Sequence, residues 1–353
     1  MSAYIIAEMA WSHTGSLNRA MQMLEGAARA GADAISVHIT DMPSYMVQDY
    51  KCIAGTTLSE SADQNATIYD FLCGINLSRA EWLQFDAKTK QLEIDLIVMC
   101  NDRSSFEFSK ELDVRQYVLS AATFLEFDLV EDIVRHNPNI ILRTGGATLA
   151  EVDRVVDLIF ATAPDAKPCL LAGIQLYPTP IEELHLASLR KLVDRYKSKG
   201  ATVGLADHID GDHPFAIYLP ALALAFGAQV LEKHITTDRK EKLEDYEAAL
   251  GIEQFAAFVN YVRTAESALD TDDLAYMDDN DSYRKYRLVA RKKVVAANDL
   301  PAGTLLCLEL LAFMRADHGA QLDEMPQLIG RTLKTNKSKG EGINIADVLA
   351  PVK

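Results

Sequence analysis

Short apolar runs alternate with segments of helical periodicity along the first 270 residues. Apolar runs bounded by loops predict buried strands of a parallel sheet. Eight such strands are predicted, at residues 4–8, 34–38, 95–99, 117–120, 139–144, 169–174, 202–208 and 230–234. Helices are predicted at residues 17–30, 78–92, near 106, 128–136, 148–161, 182–199, 214–226 and 253–269. Eight strand-then-helix units predict an α/β fold, a (β/α)8 TIM barrel.

An open, doubly wound sheet is the main alternative architecture. It is disfavoured because no Gly-rich dinucleotide fingerprint follows the first predicted strand. Residues 41–77 interrupt the alternation and are interpreted as an insertion at the mouth of the barrel, where they could form a lid. The barrel prediction therefore includes one long excursion after its second strand.

The pattern changes after an acidic stretch near residue 270. Residues 286–353 carry short β-like runs at 289–290, 293–296 and 343–344, separated by Gly-containing turns. They predict a small β-rich second domain. The predicted organisation is a barrel at residues 1–269, an acidic linker at 270–285 and the second domain at 286–353.

Composition limits the function classes. The chain has 353 residues and a formal net charge of −16, which disfavours nucleic acid as a partner. No apolar run reaches the length of a membrane span, and the N-terminus lacks the pattern of a signal peptide. The five cysteines are dispersed without metal-site spacing, which is typical of reduced thiols in a cytoplasmic protein.

Two histidines, His208 and His234, each close a predicted strand. The carboxyl ends of barrel strands are where such folds build active sites. If both strands belong to one barrel, the two imidazoles are able to share one cation. The alternative is two unrelated histidines of the core or surface.

Several dispersed segments resemble one known family in the right order. They are residues 5–17 (IIAEMAWSHTGSL), 30–34 (AGADA), 177–180 (YPTP), 204–208 (GLADH), 231–236 (LEKHIT) and the tail from 287 to 353. They resemble, in turn, the opening segment, the AGAD-A, YPTP, G-x-S-D-H and E-K-H-x-T motifs and the C-terminal antifreeze-like (SAF, β-clip) domain of the sialic acid synthase family. That family includes the spore coat polysaccharide biosynthesis protein E group.

The resemblance implies a reaction. Family members condense phosphoenolpyruvate with an N-acetylated sugar such as N-acetylmannosamine and release phosphate. It also implies that His208 and His234 hold a divalent cation, manganese or magnesium. A cation suits this chemistry because it polarises an aldehyde and activates water. The imidazoles alone do not choose the metal.

The resemblance also assigns roles to other residues. Glu8, at the end of the first strand, would orient the sugar or a metal-bound water; a turn-capping carboxylate is the alternative. Tyr177 and Asp245 would contact the sugar, with a simple packing role as the alternative for Tyr177. Arg315 resembles an arginine that one subunit of a domain-swapped homodimer sends into its partner's barrel; an ordinary surface arginine is the alternative.

The departures from the family cluster at its phosphate site. The K-x-Q of the second strand is replaced by Ser36 and His38, and the asparagine before YPTP is Gln175. Val118 and Ala121 stand where the family has the lysine and serine of its fourth strand. Arg143 replaces the serine of S-T-G-M, and Ala206 replaces the serine of S-D-H. A guanidinium binds phosphate or carboxylate in bidentate fashion, so Arg143, with help from Ser36, His38, Arg103 or Thr144, would rebuild the pocket. Otherwise the phosphate pocket is abandoned.

The sequence is compatible with three hypotheses about function. The first is a divergent synthase that condenses phosphoenolpyruvate with an N-acylated amino sugar for surface polysaccharide biosynthesis. The second is a metal-dependent pyruvate aldolase or lyase, in which Arg143 grips the carboxylate; Val118 at the lysine position disfavours a Schiff base. The third is a non-catalytic sugar-binding protein on the same fold.

Overall fold

The computed structural model describes residues 2–50, 67–269 and 273–350. The chain divides into two compact units, Met1–Asp270 and Thr271–Lys353. Within the described residues, no helix is both long and apolar enough to cross a membrane. Each of the four cysteines in these ranges is a free thiol.

The first unit is a closed barrel of parallel strands. β1 to β8 pair in sequence order and β8 pairs with β1, which confirms the predicted TIM barrel and rules out the open sheet. A two-residue strand, β9, pairs in parallel with the carboxyl end of β8. The strands are β1 Tyr4–Ala10, β2 Ala34–Ile39, β3 Asp95–Cys100, β4 Val114–Leu119, β5 Ile140–Arg143, β6 Cys169–Ala172, β7 Thr202–Asp207, β8 Val230–Thr236 and β9 Leu250–Gly251.

Helices cover the outside of the barrel. Two of them, Arg79–Leu92 and Leu149–Thr162, begin with capping boxes, in which Ser78 and Thr148 each bond reciprocally with a glutamate three residues later. The helices of this unit are α1 Leu17–Ala30, α2 Met42–Tyr45, α3 Ile68–Ile75, α4 Arg79–Leu92, α5 Arg103–Ser109, α6 Phe127–His136, α7 Leu149–Thr162, α8 Ser188–Lys197, α9 Leu222–Ala225 and α10 Ile252–Ala268. Residues 51–66 of the predicted lid lie outside the described residues.

Two helix predictions need correction. The helix predicted at 214–226 is wrong, because only a 3-10 turn at Leu219–Ala221 and the one-turn α9 form there. Pro220 lacks the N–H that a longer helix needs. The helix predicted at 182–199 begins only at Ser188, since His185 has a φ of 44° that interrupts it after the 3-10 turn Ile181–Glu183.

The interior of the barrel is layered. Its lower part is a small apolar cluster to which every barrel strand contributes at least one side chain. Residues nearer the carboxyl ends of the same strands are polar, and a larger apolar core lies between the strands and the helices. The cluster consists of Ile6, Ala34, Ile97, Met99, Val118, Ile141, Cys169, Leu171, Ala206 and Val230.

The second unit is built around a short antiparallel hairpin. β10 Lys293–Ala296 pairs with β11 Leu311–Met314, and isolated bridges and 3-10 turns surround a small apolar core. Two helices, α11 Tyr276–Asp279 and α12 Asp281–Ala290, precede the hairpin. The β-run predicted at 289–290 is therefore wrong, because these residues end α12, whose first turn Asn280 caps.

Candidate active site

A cavity of about 410 Å3 opens at the carboxyl ends of the barrel strands. This is the end at which TIM barrels carry their active sites. The lining residues include Trp11, His38, Ser120, Arg143, Gln175 and Tyr177. Four of these were predicted from the sequence to bind substrate, namely His38, Arg143, Gln175 and Tyr177.

His208 and His234 face each other across two neighbouring strands. Their ring centroids are 5.2 Å apart, and each residue is only 2% exposed. His208 Nδ1 lies 2.8 Å from the carbonyl oxygen of Ile174. Because a carbonyl only accepts hydrogen bonds, Nδ1 carries the proton and Nε2 keeps its lone pair. The structure thus brings together the two histidines that the sequence paired.

Both imidazoles are electrically neutral at physiological pH. Burial lowers the pKa of His208 to about 3 and lowers the pKa of His234 well below its ordinary value. Both ring nitrogens of His234 are buried without a hydrogen-bond partner among the described residues. Neutral, unpartnered imidazole nitrogens are suited to a divalent cation, so the residues present fit the predicted metal.

The histidine pair is not part of a larger cluster of metal-ligating side chains within the part of the chain that the structure describes. Among the described residues, no group of three or more His, Cys, Asp or Glu side chains is arranged to hold an ion. A cation held by His208 and His234 would therefore keep positions for water and substrate oxygens, as catalytic metal sites do.

Glu8 lies near the carboxyl end of β1, next to His234. It is fully buried and lies in register with His234 on β8. Its Oε1 accepts a hydrogen bond of 2.7 Å from the backbone N–H of Ala10. The carboxylate thus lies inside the barrel beside the proposed cation site.

Arg143 crosses the centre of the barrel. Its Nη2 donates to Oε2 of Glu8 and, at 2.8 Å, to Oε2 of Glu232. The same nitrogen lies 3.3 Å from Oγ of Ser36, and Nη1 lies 3.2 Å from Nε2 of His38. Arg143 is 5% exposed. One guanidinium is therefore held between two buried carboxylates, while also lining the cavity.

Glu232 is the main residue whose role sequence reasoning did not identify. It lies two residues before His234 on β8, and residues two apart on a strand share a face. Its Oε1 is buried without a partner among the described residues. The period-2 pattern was the signal that could have placed this carboxylate in the barrel interior.

His38 and Tyr177 complete the polar surface. Burial lowers the pKa of His38 to about 3, so its ring is neutral and Nε2 is able to accept from Arg143. The Tyr177 ring lies 4.6 Å from the His208 ring and 5.4 Å from the His234 ring. Its hydroxyl donates to Oε1 of Gln175 at 2.6 Å. Tyr177 therefore packs directly on the histidine pair.

Asp245 lies in the loop after β8. Its backbone has a φ of 62°, and it accepts a hydrogen bond from the backbone N–H of Trp11. Burial, followed by the charge of Glu247, raises the pKa of Asp245 to about 6. Burial and the nearby Asp245 carboxylate also raise the pKa of Tyr177. A carboxyl group with a pKa near 6 is suited to proton exchange near neutral pH.

The departures from the family pattern lie on the barrel interior. Ser36 contacts Arg143, Val118 and Ala206 belong to the apolar cluster, and Ala121 lines the cavity. Among the described residues that line the cavity, Arg143 is the only arginine or lysine. Arg315 follows β11 in the second unit, and its predicted contact with a partner's barrel stays a prediction.

Known proteins resemble the chain over nearly its whole length. The NeuB family model matches residues 23–273, and the SAF domain model matches residues 291–349. A pseudaminic acid synthase from Campylobacter jejuni is 27% identical over 98% of this chain and 96% of its own. An N,N'-diacetyllegionaminic acid synthase from Legionella pneumophila is 24% identical over 96% of this chain and 93% of its own.

Solved structures support the same fold. A spore coat polysaccharide biosynthesis protein E from Chromobacterium violaceum has a TM-score of 0.77 and 19% identity, covering 99% of this chain and 100% of its own. An N-acetylneuraminic acid synthetase from Leptospira borgpetersenii has a TM-score of 0.67 and 23% identity, covering 81% and 92%. With a family model matching most of the sequence and both predicted domain types recognised, the chain belongs to the NeuB family.

Proposed function

We propose that this protein condenses phosphoenolpyruvate with an N-acylated amino sugar, of the N-acetylmannosamine type, to a nonulosonic acid for surface polysaccharide biosynthesis. The observation that carries the proposal is the pair of buried, neutral histidines, 5.2 Å apart, at the active end of a NeuB-family barrel. The names of the relatives, which are synthases of pseudaminic and legionaminic acids, support the same reaction class.

In the proposed reaction the methylene carbon of phosphoenolpyruvate forms a bond to the aldehyde carbon of the open-chain sugar. The aldehyde oxygen takes up a proton, and a water molecule loses one and adds to C2. The C–O bond to phosphate then breaks, C2 becomes a ketone, and the proton of its hydroxyl passes to the departing phosphate. His208 and His234 would hold a manganese or magnesium ion, which polarises the aldehyde when bound.

The remaining residues have proposed roles in binding and proton transfer. Glu8, which accepts a hydrogen bond from Arg143, accepts a proton from the attacking water. Asp245, with its pKa of about 6, holds a sugar hydroxyl and exchanges a proton with it. Tyr177 and Gln175, joined by their hydrogen bond, bind the sugar, and His38 and Arg143 face the three-carbon substrate.

We further propose that the enzyme acts in the cytoplasm, in keeping with its dispersed free thiols. The proposed assembly is a domain-swapped homodimer in which Arg315 of one subunit completes the site of the other.

One observation favours a second candidate, a metal-dependent aldolase that uses pyruvate. The only lysine or arginine among the described lining residues is Arg143, and two carboxylates already neutralise it. A carboxylate with a single charge needs less positive charge from the protein than a phosphate does.

Product analysis separates the two candidates. The purified protein is incubated with manganese, a panel of N-acylhexosamines and either phosphoenolpyruvate or pyruvate, and the products are identified by mass spectrometry. The synthase proposal predicts that a nine-carbon acid forms from the sugar and phosphoenolpyruvate but not from the sugar and pyruvate. Product from pyruvate alone would favour the aldolase, and no product across the panel would contradict both.

A further inference from the structure

A buried ion pair lies on the outer face of the barrel wall, directly behind the two histidines. Asp207 on β7 and Lys233 on β8 are paired in register, and they are 1% and 0% exposed. The Nζ of Lys233 lies 2.6 Å from Oδ2 of Asp207. Since side chains alternate along a strand, His208 and His234 follow this pair on the opposite, inner face.

The ammonium group contacts the chain on both sides of His208. Besides Oδ2 of Asp207, Nζ of Lys233 donates to the carbonyl oxygen of Ile209 at 3.2 Å. It therefore joins the residue before His208 and the residue after it to a residue adjacent to His234. Within the described residues, no other charged side chain bonds to both Asp207 and the carbonyl oxygen of Ile209.

Stability alone does not account for such a pair. Removing two charges from water is costly, and apolar residues of similar volume are often as stable or more so. Oδ1 of Asp207 is also buried without a partner among the described residues, which adds to the cost. What an ion pair supplies and an apolar contact does not is direction, since its atoms must meet at hydrogen-bond distance.

We infer that Asp207 and Lys233 are positioning residues that fix the separation and orientation of the His208 and His234 imidazoles. This inference rests on the proposed function, in which these two imidazoles hold the divalent cation. It goes beyond that function because neither residue touches the cation or the substrate. Residues that orient metal ligands commonly change metal affinity tenfold or more when they are replaced.

The double variant Asp207→Leu/Lys233→Met tests this role, because it removes both charges and leaves neither partner alone. Manganese affinity is measured by electron paramagnetic resonance of the free ion, and folding by circular dichroism. We expect a folded protein whose Kd for manganese rises by about tenfold or more. A crystal structure of the variant should show a changed separation of the histidine rings from 5.2 Å.

A matched control is Tyr117→Phe on β4, which removes another buried polar contact between the strands and the helices, the one of 3.0 Å between the Tyr117 hydroxyl and Oγ of Ser109. Its Kd for manganese should equal that of the wild type. An unchanged Kd and unchanged ring separation in the double variant would overturn the inference. If that variant does not fold, Lys233→Arg takes its place; it keeps the charge but moves the donor, and a Kd unchanged from wild type would again overturn the inference.

If the wild type binds no manganese, the proposed cation site fails. The ring separation in the crystal structure of the double variant then still decides the positioning role, since it needs no bound metal. A changed separation supports the inference, and rings that stay in place overturn it.

Discussion

The guanidinium of Arg143 lies 2.8 Å from the carboxylate of Glu232, from Nη2 to Oε2, inside the barrel. The sequence assigned Arg143 to substrate binding, and the structure adds two carboxylate partners, Glu232 and Glu8. A buried cation held in this way is first a neutralising group for the two acids. Its second pair of donors, on Nη1, lies beside His38 at the cavity.

Replacing Arg143 by methionine should destabilise the protein. The change would leave two buried carboxylates without their cation, and breaking a buried pair from one side costs about 3–5 kcal/mol. The free energy of unfolding, measured in urea, checks this prediction. The control is Arg143→Met/Glu232→Gln, which removes one of the two charges and should recover part of the loss. A single variant as stable as the wild type would contradict the ion-pair arrangement.

The single variants His208→Ala and His234→Ala should each lose stoichiometric manganese binding. Each imidazole is one of only two protein ligands that we propose for the cation. Metal content after dialysis and a manganese titration measure the effect. The control is His318→Ala, since His318 is an exposed histidine of the second unit. Retention of one manganese ion per subunit in both site variants would place the metal elsewhere.

Asp245→Asn should change the dependence of stability on pH. The folded protein raises the pKa of Asp245 from 3.8 to about 6, so its carboxyl group contributes stability below about pH 4 that is lost as the pH rises through about 6. Asparagine does not ionise and tolerates a φ of 62°. The free energy of unfolding of the variant, relative to that of the wild type, should rise by on the order of 2 kcal/mol between pH 4 and pH 8. Chemical unfolding at both pH values measures this gain, and a pH-independent difference would contradict the raised pKa.

Tyr177→Phe should weaken sugar use and leave metal binding intact. The variant keeps the ring that packs on the two histidines and loses the 2.6 Å hydrogen bond to Gln175. One hydrogen bond contributes about 1 kcal/mol, so kcat/KM for the sugar should fall by about fivefold. Steady-state kinetics and a manganese titration are compared with those of Tyr177→Ala, which should also disturb metal binding. Unchanged kinetics in Tyr177→Phe would show that the hydroxyl takes no part in sugar use.

A mixing experiment tests the proposed sharing of Arg315 between subunits. Inactive Arg315→Ala and His208→Ala proteins are unfolded together and refolded, or co-expressed. In a domain-swapped heterodimer one site carries both changes and the other carries neither. Random pairing should therefore restore about a quarter of the wild-type activity. No activity above that of the separate variants would contradict the swap.

Much of the barrel could be predicted because its signals are local. Each buried strand contains an apolar run, and Ser78 and Thr148 are N-cap residues of the helices that follow them. The prediction failed where a local pattern conflicted with backbone chemistry, as at Pro220. It also failed where a short apolar run, at residues 289–290, forms the end of a capped helix.

The site was only partly predictable for a different reason. His208, His234, Tyr177 and Glu8 were found through motifs, and the structure places them together. The partnership of Arg143 with Glu232 joins residues 89 apart in the sequence, and no local rule pairs them. Whether the phosphate pocket is rebuilt or abandoned depends on such long-range contacts.

The stoichiometry of phosphate release tests the central claim most directly. Purified protein is incubated with phosphoenolpyruvate, an N-acylated amino sugar that it accepts and manganese, and both inorganic phosphate and sugar consumption are followed in the same sample. The proposed condensation predicts that one phosphate is released for each sugar consumed. In the His208→Ala variant, neither phosphate release nor sugar consumption should be detected. Sugar consumption without phosphate release, or no reaction with any sugar of the panel, would contradict the account.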